Sequence, residues 1–173
     1  MTIMTTIEEA LGVTAERPMP VSSPDFDALT RPLIGLKVAL ARQAYGSVLM
    51  IEMGRLTQGT GPRWHLQGEA SLVFEWSWRF ETDSEVVFGS SSEAAFVYAQ
   101  LVELRGHRVT GIRLEGRFPE LILELSGGLR VRSLACVEDD PGWWLWLPDR
   151  SSLHWEDGAL RHEGPPAPTP RRP

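Results

Sequence analysis

The chain has 173 residues, a net charge of −6 and a pI near 5.2, with 42% hydrophobic and 23% charged residues. That is the composition of an ordinary globular domain, and the length fits one domain or one domain built of two similar halves. Binding to nucleic-acid phosphates needs clustered Lys and Arg, which the core lacks, and no stretch approaches the ~20 apolar residues of a membrane helix. The single cysteine, Cys136, has no partner for an intramolecular disulfide, and the N-terminus lacks a basic segment followed by an apolar one, so the expected home is the cytoplasm.

In chain order, residues 1–30 read as an N-terminal arm. Thr5–Gly12 can form one short helix, because Thr5 with Glu8 or Thr6 with Glu9 has capping-box spacing and Gly12 supplies a stop. The prolines at 18, 20 and 24 then predict an extended segment. Strands follow at 36–44 and 47–53, with short ones at 64–66 and 69–73, then Phe74–Glu81 and 85–88. Ser90 with Glu93 predicts a capping box opening a long helix over about 91–104, and its nearly all-apolar surface predicts burial on more than one side. Further strands are expected near 107–115, 121–125, 129–137, 143–147 and 152–156. Gly127-Gly128 and Asp139-Asp140-Pro141-Gly142 are turns. Residues 164–173 form a proline-rich tail expected to be disordered.

Two stretches repeat in order. Leu33–Val38, Leu49–Glu52 and Trp76-Ser77-Trp78 match Leu104–Val109, Leu121–Glu124 and Trp144-Leu145-Trp146, with offsets from 68 to 72 positions. This predicts an internal duplication, with halves at 33–89 and 104–157 joined by the helix over 91–104, inside one β-rich domain spanning 31–163. The expected fold is α+β and mostly antiparallel β: duplicated five-strand units forming a barrel, roll or sandwich, with one long helix between the two halves.

No catalytic set stands out. His65, His107, His154 and His162 show no metal spacing, the Ser90–Ser92 run is accounted for by helix capping, and no phosphate loop of known pattern is present. Cys136 reads as a buried, inert thiol. No cofactor and no metal are expected. Glu52 and Glu124 occupy matched places, and a pseudo-twofold axis could bring them together as paired carboxylates. Strand alternation puts Phe74, Trp76, Trp78 and Phe80 on one face. Aligning the two WxW motifs puts Trp144 and Trp146 on the core side and turns Trp143, Leu145 and Leu147 outward. That apolar face must then be covered by the linking helix, a second subunit or a partner, and it is the expected interaction surface.

No family motif is present. Small size, acidity, a β-rich core and no catalytic set are traits of many bacterial immunity and adaptor proteins. The expectation is a non-enzymatic cytoplasmic binding module acting by protein–protein contact, with a protein partner or a homodimer rather than nucleic acid or membrane. The alternative is a small-molecule-binding β-barrel or modest enzyme whose pocket would draw on Trp76, Trp78, Trp144, Trp146, Glu52 and Glu124.

Overall fold

The computed structural model describes residues 19–20, 23–58, 66–136, 142–156 and 158–165. The short helix expected at Thr5–Gly12, the strand candidate around Trp64 and His65, the Asp139-Asp140 turn and residues 166–173 lie outside them. Fourteen strands and two α-helices are described. In order these are β1 (Met19–Pro20), helix α1 (Ser23–Thr30), β2 (Val38–Gln43), β3 (Leu49–Met53), β4 (Thr57–Gln58), β5 (Leu66–Gln67), β6 (Ala70–Phe74), β7 (Ser77–Glu81) and β8 (Val86–Gly89). Helix α2 (Ala94–Glu103) follows, then β9 (Val109–Glu115), β10 (Glu120–Leu125), β11 (Leu129–Leu134), β12 (Trp143–Trp146), β13 (Ser152–Glu156) and β14 (Ala159–Glu163).

All pairings are antiparallel. A large sheet runs β1-β14-β13-β12-β6-β3-β2, a smaller one runs β8-β7-β11-β10-β9, and β4 with β5 forms a separate two-stranded ladder. The two main sheets are open and enclose one core, with Ile51, Leu72, Phe74, Trp143 and Leu145 contributed from one side and Trp78, Phe80, Leu121, Leu123 and Val131 from the other. The mostly antiparallel β architecture agrees with expectation, while a closed barrel does not occur.

The chain exchanges strands between the sheets. The meander β2-β3-β6 lies in the large sheet, and the next two strands cross to the small one, β7 pairing with β11 and β8 with β7. The meander β9-β10-β11 lies in the small sheet, and the next two strands cross back, β12 pairing with β6 and β13 with β12. The crossing from β6 to β7 occurs at Glu75 and Trp76. It breaks the continuous alternation predicted over Phe74–Glu81: Phe74, Trp78 and Phe80 are buried, but Trp76 is 41% exposed.

Where the two meanders begin, their backbones pair around a bridge between Lys37 and Arg108, 71 positions apart. Gly35 N–H donates to Val109 O at 2.8 Å, and Gly106 N–H to Val38 O at 2.8 Å. Val38 N–H donates to His107 O and Val109 N–H to Leu36 O. Each bond has its counterpart under exchange of the two segments. Gly35 and Gly106 hold φ of 90° and 94°, a left-handed conformation for which a side chain would be strained. Both meanders also carry a bulge at the same place, after Val38 in β2 and opposite Val109–Gly111 in β9.

Two expectations about helices need correction. Residues 23–30, assigned to the arm, are α1, which continues into a 3-10 turn at Arg31–Leu33 and buries Phe26, Thr30 and Leu33. The arm reading rested on Pro24, yet proline is tolerated in the first turn of a helix, where its missing N–H has no partner to lose. The long helix over 91–104 is ten residues, α2. Its N-cap is Glu93 rather than Ser90: the Glu93 carboxylate accepts from the N–H groups of Ala95 and Phe96 at 3.1 and 3.0 Å. The serines are used in a turn before it, where Ser92 Oγ accepts from Gly89 N–H. Nor is α2 buried on several sides. Val97 and Leu101 face the core, whereas Phe96, Tyr98 and Val102 are 45%, 73% and 52% exposed. Cys136, expected to be buried, is exposed.

Candidate functional site

The two Trp-bearing strands are related differently from the motif alignment. Trp78 and Trp143 are the matched pair, both 1% exposed. Trp78 Nε1–H donates to Ser47 O at 2.5 Å and Trp143 Nε1–H to Pro119 O at 2.9 Å. Ser47 stands two residues before Leu49 of β3 and Pro119 two before Leu121 of β10, the leucines at corresponding places in the two meanders. Aligning Trp76 with Trp144 was therefore out of register by an odd number of positions, and an odd slip flips every side chain to the other face. Trp143, Leu145 and Leu147 are core residues, 1%, 0% and 3% exposed. They are covered from within by the chain itself and form no docking surface. Trp144 and Trp146 face outward and are half-buried.

Across the large sheet's outer face runs the row Arg42, Met50, Val73, Trp144, His154. Trp144 stacks on His154 with centroids 4.1 Å apart and on Trp146 at 5.9 Å. His154 is 3% exposed, its Nδ1 has no hydrogen-bond partner among the described residues, and its Nε2 lies 4.0 Å from Glu163. Burial, against the weaker pull of Glu163 and Glu156, lowers the His154 pKa, so the neutral ring is favoured. The next row holds Leu40, Glu52, Ser71, Trp146, Ser152 and Glu163.

At one end of this face a cleft of about 400 Å³ opens between Gln67–Ser71 and the β12–β13 hairpin, with Trp146, Arg150, Ser152 and Glu163 in its walls. The hairpin turn is closed by Arg150 N–H to Leu147 O at 2.9 Å and Leu147 N–H to Ser151 O at 2.8 Å. Asp149 caps it, accepting from Ser151 N–H and Oγ–H, and those bonds lower the Asp149 pKa. Arg150 has φ 74°; the other described residues with positive φ are glycines. An L-residue held in that region costs roughly 1–2 kcal/mol. Among the described residues the Arg150 side chain has no ion-pair partner.

The equivalent row on the small sheet reads Arg113, Ile122, Arg132, Arg79, Gly89. Here the charged groups pair with one another, although Arg132 Nε is buried with no hydrogen-bond partner among the described residues. Glu81 accepts from Arg79 at 2.6 Å and Arg130 at 2.8 Å, and Arg130 also reaches Asp83 at 2.7 Å. Arg113 pairs with Glu115 and Glu124 at 3.1 and 3.2 Å, and Arg132 pairs with Glu115. Burial would raise the Glu81 pKa, but the arginine hydrogen bonds outweigh it and the net shift is downward.

Glu52 and Glu124 do occupy matched places opposite the two bulges, yet they are not brought together, because each sits on the outer face of a different sheet. Glu52 is 2% exposed and accepts from Gly68 N–H at 2.8 Å and from Ser71 Oγ–H. Glu124 is paired with Arg113. Of the expected pocket residues, only Trp146 lines the cleft. Trp78 is in the core, Trp76 lies at the sheet crossing, and Trp144 flanks Trp146. Arg150, Ser152 and Glu163 were not anticipated. The one available signal was the alternation Ala159-Leu160-Arg161-His162-Glu163 after Gly158, which marks β14.

Among the described residues, no three His, Cys, Asp or Glu side chains are grouped to hold a metal ion, and no helix is long and apolar enough to cross a membrane. No protein-family model, curated protein or solved structure matches the chain.

Proposed function

We propose that the chain is an internally duplicated scaffold that acts as a non-enzymatic binding module through protein–protein contact. The duplication reading draws support from the exchanged 3+2 strand order, the reciprocal bonds around Lys37 and Arg108, and the Trp78 and Trp143 anchors. It also reaches further than the repeat read from sequence, because α1 and α2 stand 71 positions apart. Phe26, Thr30 and Leu33 correspond to Val97, Leu101 and Leu104, and all six are buried. The helices pack crosswise, α1 on β9 and α2 on β2.

One observation carries the binding role. At equivalent exposed positions α1 and the 3-10 turn after it hold Asp25, Asp27 and Arg31, while α2 holds Phe96, Tyr98 and Val102. The scaffold tolerates polar residues there, so packing does not require the apolar ones. Tyr98 and Val102, four residues apart, share one exposed apolar stripe of α2 with Ala95 and Ala99, while Phe96 lies on the other flank, edge-on to Phe88. Such a stripe is a docking feature, and aromatic residues are favoured interface anchors.

The test grafts the surface of α1 onto α2 by Tyr98→Asp with Val102→Arg. This double variant keeps the wild-type melting temperature and loses the wild-type's self-association or partner capture, read by light scattering and cross-linking. A variant that associates as the wild type does removes α2 from the interface and the reading with it.

A further inference from the structure

The cleft beside Trp146 carries opposite charges in its lining. One is the Arg150 guanidinium, exposed and without an ion-pair partner among the described residues. The other is Glu163, half exposed, with Ser152 Oγ 3.4 Å from one carboxylate oxygen and His154 Nε2 4.0 Å from the other. Glu69 adds a second carboxylate to the rim, one oxygen of which already accepts from Arg55 N–H. Trp146 supplies a flat apolar wall, held by its stack on Trp144.

The backbone at 150 is a second, independent observation. Where the described chain elsewhere takes a positive φ it uses glycine, and here it keeps a long cationic side chain at 74°. Strained residues of this kind concentrate at binding and active sites. The turn's hydrogen bonds use the backbone of Arg150 and the side chain of Asp149, so nothing in the turn calls for a guanidinium.

We propose that this cleft binds a small zwitterion of amino-acid type, Arg150 taking its carboxylate, Glu163 with Ser152 taking its ammonium, and Trp146 packing on its side chain. A plain anion would face Glu163 and Glu69, and a plain cation would face Arg150. A molecule carrying both charges meets each with its complement. A volume of about 400 Å³ lies at the small end of the range for ligand pockets and suits an amino acid or dipeptide. The proposal concerns a different surface from the α2 stripe and stands or falls separately.

The experiment titrates the full chain with the twenty free L-amino acids, by calorimetry and by tryptophan emission. The best binder is then compared with its carboxamide and its N-acetyl form. Each blocked form is expected to bind about tenfold more weakly, because each leaves one charged group of the cleft unpaired. Arg150→Gly does not lower the melting temperature, since φ 74° suits glycine, and it erases the preference for the free acid over the amide. Arg150→Lys retains that preference. Glu163→Gln erases the preference for the free amine. The proposal is overturned if no amino acid gives a signal at millimolar concentration, if both blocked forms bind as well as the parent, or if Arg150→Gly leaves the acid preference intact.

Discussion

The outer faces of the two sheets share one backbone plan and opposite chemistry. Arg79 and Glu81 on the small sheet stand where Trp144 and Trp146 stand on the large one, and Arg132 and Arg130 where Val73 and Ser71 stand. The small sheet's face closes on itself, since nearly every charge there has an opposite charge beside it. Buried Ile122 lies within this lattice, between Arg132 and Arg113, so the arginine stems serve as its cover. The large sheet's face does not close. It stacks indole on indole and imidazole, and its cleft is walled by Trp146, whereas the small sheet's own cleft of about 320 Å³ is walled by the paired Glu124, Asp83 and Arg130. Since one backbone supports both solutions, the aromatic one is not imposed by the fold, and it is the place to look for ligand contact.

The comparison breaks most severely if the halves are autonomous. The small sheet is completed by two strands of the other half and the large sheet by three, so residues 19–89 and 90–165, produced separately, should show no cooperative unfolding by circular dichroism. Mixed, they should recover it. A half that folds alone would show the exchange to be dispensable.

Next in size are the paired anchors. Trp78→Ala and Trp143→Ala should each lose about 3–5 kcal/mol in urea unfolding, the range for deleting a large buried aromatic. The two losses should be similar, because both rings are equally buried and both donate to an equivalent carbonyl. A difference of more than about 2 kcal/mol, against a scatter that context alone produces, would argue that the halves carry unequal parts of the core.

Glu81→Gln should cost less, about 1–2 kcal/mol. It removes the charge at the centre of the arginine cluster, but Arg79 and Arg130 are 34% and 27% exposed and can turn to water. High salt should shrink the difference between wild type and variant, and a salt-independent difference would point to packing instead.

The faces should also separate along the pH axis. The folded pKa of His154 is depressed, so the unfolded chain takes up the proton first. Stability should begin to fall as pH drops below about 6.5, with a slope of at most ~1.4 kcal/mol per pH unit. The folded pKa of Glu81 is also depressed, and its contribution is present above the unfolded value of 4.5 and lost only as pH falls through the lower folded one. His154→Gln should therefore flatten the upper limb and leave the lower one, and Glu81→Gln should do the reverse. Melting temperatures measured from pH 7 to 3 would show whether the limbs belong to these residues.

The smallest effect on stability is expected at the helices. Tyr98→Asp changes an exposed position whose counterpart is already Asp27, and should stay within about 0.5 kcal/mol of wild type by thermal melting. A larger loss would mean that the α2 stripe is covered within the chain.

Much of the strand inventory was legible in the residues. Alternation and turn glycines located β2, β3, β6, β10, β11, β12 and β13 to within a few positions, and the recurrence of LxGxxV found the two segments that pair around Lys37 and Arg108. Local pattern sufficed there because burial on one face forces a period of two. What sequence could not decide was which face of β12 is the core. Trp-Trp-Leu-Trp-Leu is apolar at every position, so the inside is set by the register with β6 and by the carbonyl waiting at Pro119. Nor could it show that the chain crosses between sheets at Glu75–Trp76, which is settled by pairing with strands from the other half. The cleft depends on the same long-range facts. Arg150, Ser152 and Glu163 are ordinary polar residues in the sequence, and only the closure of β12, β13 and β14 sets them around Trp146.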